Sequence, residues 1–274
     1  MTDKGKIGIP ELMKSNAYEK NWGHYGKAIA EKRATPEWGI VRKARETHWD
    51  EFFSVNGTHA VLDAGCGLGD YTVYALRSGA RVWAFDYTPE MVIATRDRIS
   101  ENGLKAEGLY VGSVTDIPHE DRSFDIVFCL AVLDHLPLRE RLQARSELYR
   151  VLKPGGFLYL DVPNRLAWHW RLVFYGMRFL NLYPGGKIHF FLPWELQAFI
   201  RGGGFQPSGS LGMTFCPPFS GIYTTDIRRL TILPDHLIQP LDEFYLRIEQ
   251  TFRRKRLFKP FCWHYFLKAK KPNE

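Results

Sequence analysis

Val61-Leu62-Asp63-Ala64-Gly65-Cys66-Gly67-Leu68-Gly69-Asp70 runs from an apolar strand through a D-x-G-x-G-x-G turn into a helix. Glycine lets a backbone adopt positive φ and approach a ligand closely, and the first turn of a helix presents N–H groups that have no partner within it. Such a turn can cradle a polar ligand. A second acid, Asp86, closes the next apolar run 21 residues after Gly65. A carboxylate there can accept both hydroxyls of a ribose. A tight turn with two structural carboxylates is the plainer reading of the same residues, and the combined spacing favours an adenosine-containing ligand over it.

Two details restrict that ligand. A dinucleotide-binding turn reads G-x-G-x-x-G, whereas here the third glycine comes one residue early, at Gly69, and Asp70 stands where the dinucleotide glycine would be. Asp63, inside the turn, repels a pyrophosphate but suits an ammonium. An adenosine joined to an amino acid satisfies both conditions. NAD-linked redox chemistry is disfavoured, although it remains a rival reading.

Working outward, short β-rich apolar runs alternate with helix-length segments, the pattern of a parallel βαβ sheet. It predicts strands at His59 to Ala64, Arg81 to Phe85, Gly108 to Val111, Phe124 to Leu130, Gly156 to Val162, Phe205 to Met213 and Cys262 to Ala269. Helices are expected near Asp70 to Ser78, Pro89 to Ser100, Pro137 to Leu152 and Pro193 to Arg201. Thr88-Pro89-Glu90 supplies a cap, a proline at the first helical position and a first-turn acid in order. Residues 1–58 read as a helical N-terminal cap on a domain spanning 59–274, with insertions at about 164–191 and 217–260. Insertions of this kind commonly carry substrate specificity.

Composition agrees with a folded α/β protein: of 274 residues 45% are hydrophobic, 15% aromatic and 24% charged. That excludes a disordered, collagenous or coiled-coil chain. Cys66, Cys129, Cys216 and Cys262 lie far apart with no C-x-x-C pair, so neither a zinc site nor a disulfide framework is expected, and the compartment reads as reducing and cytoplasmic. The apolar stretch Trp168 to Tyr183 carries Arg171 and Arg178 and falls short of the roughly 20 residues of a membrane span. Net charge is +7, and residues 251–274 alone hold eight Lys or Arg against one acid. The basicity belongs to the tail.

The motifs together resemble those of class I S-adenosylmethionine-dependent methyltransferases. After the glycine turn come Val111-Gly112-Ser113-Val114-Thr115-Asp116-Ile117-Pro118, Ser123-Phe124-Asp125-Ile126-Val127 and Val151-Leu152-Lys153-Pro154-Gly155-Gly156, in that family's order. The resemblance implies a doubly wound, Rossmann-like α/β sheet of seven strands with the last antiparallel, and S-adenosylmethionine as cofactor. It implies that Asp63, Gly65, Cys66, Gly67 and Gly69 meet the methionine part and Asp86 the ribose, with Tyr87 and Val114 flanking the adenine. Ser113 replaces the aspartate that usually reaches the adenine amino group.

Asp161-Val162-Pro163-Asn164-Arg165, with Trp168, Tyr175, Tyr183-Pro184, Gly186, His189, Phe191, Pro193, Glu195-Leu196 and Gly204, is similar to the ubiquinone-biosynthesis O-methyltransferases over about Arg45 to Met213. In that branch the insertion covers a hydrophobic, quinol-like substrate and is implicated in membrane contact. Arg45 has the spacing of an arginine that binds the cofactor carboxylate; a solvated helix arginine is the competing reading. Leu130 matches a cofactor-lining position, and Asp134-His135 matches an acid-histidine pair that can hold a divalent metal. Its first acidic ligand is replaced here by Ala131, so no metal is assigned. His135, with Asp134, is the candidate general base, since imidazole titrates near neutral pH, or else a structural histidine.

The expected function is methyl transfer to a small, hydrophobic acceptor, with oxygen the favoured atom. The stretch 168–183 reads as a packed lid, a substrate tunnel wall or an interfacial helix. The tail, where Arg253-Arg254-Lys255-Arg256 is interleaved with aromatics, suits an anionic membrane surface, RNA phosphate or plain solvent. Nucleic acid is the weaker partner, because no N/D/S-P-P-aromatic run follows the fourth strand. Methylation of RNA through the tail and a non-catalytic cofactor-binding module are the alternatives.

Overall fold

In the computed structural model the described residues are 49–179, 188–213 and 261–273, together with Pro240, Phe244, Arg247 and Thr251. The expectations for Arg45, for most of the N-terminal cap, for the second insertion and for Arg253 to Arg256 lie outside them. The strands are β1 (Ala60–Ala64), β2 (Arg81–Asp86), β3 (Gly108–Val111), β4 (Phe124–Leu130), β5 (Leu152–Pro163), β6 (Gln206–Met213) and β7 (His264–Lys270). The helices are α1 (Asp70–Arg77), α2 (Pro89–Glu101), α3 (Leu138–Val151), α4 (Trp168–Phe179) and α5 (Pro193–Arg201).

They build one seven-stranded sheet in the order β3-β2-β1-β4-β5-β7-β6. The first five strands pair in parallel, and β7 runs antiparallel between β5 and β6. The strand order reverses between β1 and β4, and in open α/β sheets ligands bind at the carboxyl ends of the strands beside such a switch point. Alternate residues of each strand feed opposite faces. Leu62, Val127, Leu158, Leu160 and Leu267 pack with Leu148, Leu196 and Ile200. Val61, Ile126, Phe128, Tyr159 and Phe266 pack with Trp49, Phe53, Val73 and Leu76 on the other side.

Where sequence and structure differ, the backbone gives the reason. β5 begins at Leu152, four residues before the expected Gly156. Leu152 pairs with Phe124, and the register then slips so that Phe157 meets Ile126; Gly155, at φ 80°, absorbs the bulge in a conformation that favours glycine. Thr88 sits at the N-cap of α2, but its side chain makes no cap bond. Its N–H donates instead to Asp86 Oδ1 at 2.9 Å. No described helix is long and apolar enough to cross a membrane.

Candidate functional site

The glycine turn stands at the carboxyl end of β1, held from both sides. Gly65 and Cys66 donate their N–H groups to the Phe85 carbonyl, each at 2.9 Å. From α2, the Thr95 hydroxyl donates to the Gly67 carbonyl at 2.8 Å. Arg98, in the last turn of α2, pairs with Asp70 at the start of α1, which explains why an acid is tolerated where a dinucleotide turn needs glycine. Gly65, Gly67 and Gly69 all adopt positive φ.

The three glycines are not equivalent. A Cβ on Gly65 would lie 2.4 Å from Val132 Cγ2, and one on Gly69 would press on Thr95 at 3.1 Å. On Gly67 it would meet nothing within 4 Å. Gly65→Ala is therefore expected to destabilise the fold by about 3 kcal/mol, from the left-handed backbone and the clash together. Gly67→Ala should instead leave thermal melting within about 1–2 kcal/mol of the wild type while weakening cofactor binding, because its methyl group fills open space. Melting curves with and without S-adenosylhomocysteine separate the two outcomes.

Asp86 ends β2 with both oxygens partly engaged: Oδ2 accepts from Gly67 N at 2.9 Å and Oδ1 from Thr88 N at 2.9 Å. The Thr88 hydroxyl and the Tyr87 N–H also hydrogen-bond this carboxylate, so a diol would share its oxygens with these donors. Burial pushes its pKa up, and these backbone donors oppose the shift. Asp63 lies deeper, fully buried, and accepts the Thr72 hydroxyl at 2.5 Å. Burial, opposed by the Thr72 bond and reinforced by Asp86 and Asp70, pushes its carboxyl up to about 7. A buried acid of this kind fits a cationic group brought to the turn.

Tyr87 is half-buried directly after Asp86. Beyond β3, Ser113 and Val114 are buried, with Ser113 Oγ 2.8 Å from the Thr115 hydroxyl. Leu130 closes β4 and is buried on the same face as Phe128. After it Ala131 takes a left-handed φ of 55°, turning the chain into the 3-10 turn Leu133–His135. The turn brings Asp134 and His135 to the same edge of the sheet. His135 Nε2 is 3.4 Å from Asp134 Oδ2, longer than a well-formed N–H···O bond. Among the described residues no group of three His, Cys, Asp or Glu side chains could hold a metal ion.

The structure adds a pair that the sequence reading did not single out. Asp161 in β5 is buried, and both its oxygens lie close to Nδ1 of His264 in β7, at 3.0 and 2.9 Å. The available signal was an acid set into an otherwise apolar strand; its partner 103 residues away could not be read without the β5–β7 register. Beside the pair, Trp170 and Phe174 of α4 pack with Phe190 and Trp263 at centroid distances of 5.3–6.2 Å. They form an aromatic wall.

Residues 62–160 match the family described as a methyltransferase domain. The ubiquinone biosynthesis O-methyltransferase of Xanthomonas axonopodis pv. citri (strain 306) is 36% identical over 162 residues, 57% of this chain and 66% of that protein. The match thus spans just under two thirds of the relative's length. Among solved structures, a SAM-dependent methyltransferase from Thermotoga maritima superposes with a TM-score of 0.59 at 15% identity, covering 92% of this chain and 99% of that one. The cyclase SpnF superposes with a TM-score of 0.57 at 18% identity, covering 85% and 81%. These likenesses concern the fold. With sheet order, glycine turn and family match in agreement, residues 62–160 are similar to the methyltransferase domain family, and the sheet has the Rossmann-like fold of the class I S-adenosylmethionine-dependent methyltransferases.

Proposed function

We propose that the chain transfers a methyl group from S-adenosylmethionine to a small, hydrophobic acceptor, at an oxygen atom. One observation carries the cofactor reading: Gly67 opens onto empty space beside the Asp86 carboxylate that accepts its N–H. Gly65, Cys66, Gly67 and Gly69 would meet the methionine part through the backbone, with Asp63 drawing in its ammonium. Asp86 would accept the ribose hydroxyls, Tyr87 and Val114 would flank the adenine, and Ser113 would offer a hydroxyl to its edge. Leu130 would close the pocket beneath. The bound cofactor supplies an activated methyl on a sulfonium, so the protein's task reduces to alignment and exclusion of water.

Oxygen as acceptor atom and a hydrophobic acceptor are both supported by the names of the relatives, which are ubiquinone biosynthesis O-methyltransferases. The buried free thiols of Cys66 and Cys129 accord with a reducing, cytoplasmic setting. The test is incubation with S-adenosylmethionine and a panel of alkyl-substituted phenols and catechols, reading S-adenosylhomocysteine release by mass spectrometry. Turnover on this panel is expected. Turnover confined to RNA or to amines would overturn the acceptor class.

The surface of α4 bears on where the acceptor is met. One side packs inward through Trp170 and Phe174, while Trp168, Leu172, Tyr175 and Phe179 stand exposed in a helical stripe, Phe179 at 88%. We infer that the stripe lies on an anionic lipid surface, with Arg178 at headgroup level. Leu172→Asp with Phe179→Asp is expected to reduce co-sedimentation with phosphatidylserine vesicles on the order of 100-fold, and to leave S-adenosylhomocysteine affinity unchanged. Vesicle binding that survives both substitutions would refute the contact.

A further inference from the structure

The buried ionisable groups that cofactor binding leaves unused gather at one place. Asp134 and His135 come from the turn after β4, Asp161 from β5 and His264 from β7. Asp161 faces Phe266 across the β5–β7 ladder and His264 is two residues from Phe266, so the pair are diagonal neighbours on one face. Leu130 and Phe128 of β4 point to that face as well. The antiparallel course of β7 puts its first residue level with the carboxyl end of β5, opposite Pro163. The histidine of the last strand therefore reaches the edge where the glycine turn lies.

The two imidazoles are oriented differently. An ionised carboxylate only accepts, so Asp161, touching Nδ1 of His264 with both oxygens at 3.0 and 2.9 Å, places the proton on Nδ1. In the neutral ring Nε2 then carries the lone pair. His135 turns its Nε2 toward Asp134 at the longer distance of 3.4 Å. Burial pushes the Asp134 carboxyl up. Its Oδ1 makes no hydrogen bond among the described residues. Asp134 is thus the poorer orienting group. Next to His264, at a centroid distance of 6.3 Å, Trp263 packs into the buried cluster of Trp170, Phe174 and Phe190.

Resting on the methyltransferase reading above, we propose that His264, oriented by Asp161, is the general base of the reaction and takes the proton of an acceptor hydroxyl such as that of a phenol. A phenol, with a pKa of about 10, is neutral near pH 7. Its proton passes to Nε2 of His264 as the oxygen bonds to the methyl carbon. The sulfur–carbon bond breaks with its electron pair going to sulfur, leaving a methyl ether, S-adenosylhomocysteine and an imidazolium that releases its proton to water. Asp161 stabilises that imidazolium without itself taking the proton. Asp161 of β5 and Asp134 of the turn after β4 are the acids that bear on the ring.

The test combines kinetics with a measurement that needs no acceptor. On a phenol or catechol from the panel, His264→Gln is expected to lower kcat about 100-fold or more, to abolish the rise of rate with pH, and to hold S-adenosylhomocysteine affinity within about twofold. Asp161→Asn should shift the same pH profile, and His135→Gln should retain it. In wild-type protein bound to S-adenosylhomocysteine, the imidazole 15N spectrum should show His264 as the Nδ1–H tautomer, which keeps the inference testable even if a variant fails to fold. An Nε2–H tautomer, or a His264→Gln enzyme with the rate profile intact, overturns the inference alone. A protein that binds cofactor yet methylates no phenol or catechol overturns the reading beneath it, and the base with it.

Discussion

Replacing Asp86 with alanine should abolish the thermal stabilisation that S-adenosylhomocysteine gives the wild-type protein. Two effects act in the same direction. The variant loses the carboxylate that would accept the ribose diol, and hydrogen bonds to a charged group contribute about 1.5–3 kcal/mol each, so affinity should fall on the order of 100-fold or more. It also frees the Gly67 N–H that Oδ2 accepts at 2.9 Å, loosening the turn at the one of its three glycines with open space beside it. The unliganded fold should suffer less. Removing the acid relieves a burial cost, while leaving the Gly67 and Thr88 N–H groups to water. Differential scanning fluorimetry with a ligand series measures both quantities. A ligand-induced shift preserved in Asp86→Ala would remove this residue from the cofactor site.

Asp63→Asn should separate stability from function. The carboxyl moves from an ordinary 3.8 to about 7 in the folded chain, so the folded state holds this proton more tightly than the unfolded state. The resulting stabilisation is complete below about pH 4 and is lost as pH rises through about 7; above that, keeping the ion buried costs the unliganded fold about 4 kcal/mol. Asparagine still accepts the Thr72 hydroxyl and carries no charge. At pH 8 the variant should therefore melt higher than wild type without ligand. It should also bind S-adenosylmethionine about 10- to 100-fold more weakly, having lost the partner of the ammonium. In the wild type, affinity should climb as pH passes through about 7, and that climb should disappear in Asp63→Asn. Paired melting and binding curves at pH 6 and pH 8 check the signs. A variant less stable than wild type at pH 8 would show that the Asp63 ion is already compensated within the fold.

Local chemistry was legible in the sequence and long-range pairing was not. The glycine turn, Asp86 at the end of β2 and the bounds of β3 and β4 follow from alternation and from the few conformations that a strand-turn-helix permits. The antiparallel β7 came from the resemblance; it is seen to sit between β5 and β6 and to pair antiparallel with both. Gly155 looked like the boundary before a strand, because a glycine pair reads as a turn, yet it is a bulge within β5. Asp161 and His264 escaped notice for a different reason. Each lies in a run whose pattern is that of a core strand, and only register makes them neighbours. Nothing in the sequence marks Arg141 of α3, whose side chain is buried with its guanidinium 5.2 Å from the Phe191 ring.

The most direct measurement is isothermal calorimetry of the purified protein against S-adenosylhomocysteine and, separately, against NADH. Saturable one-to-one binding of S-adenosylhomocysteine, with no heat from NADH, is expected from a turn in which Asp63 and Asp70 stand where a pyrophosphate would need glycine and positive charge. Binding of NADH with no binding of S-adenosylhomocysteine would contradict the cofactor assignment, and every role given to Asp63, Gly67 and Asp86 with it.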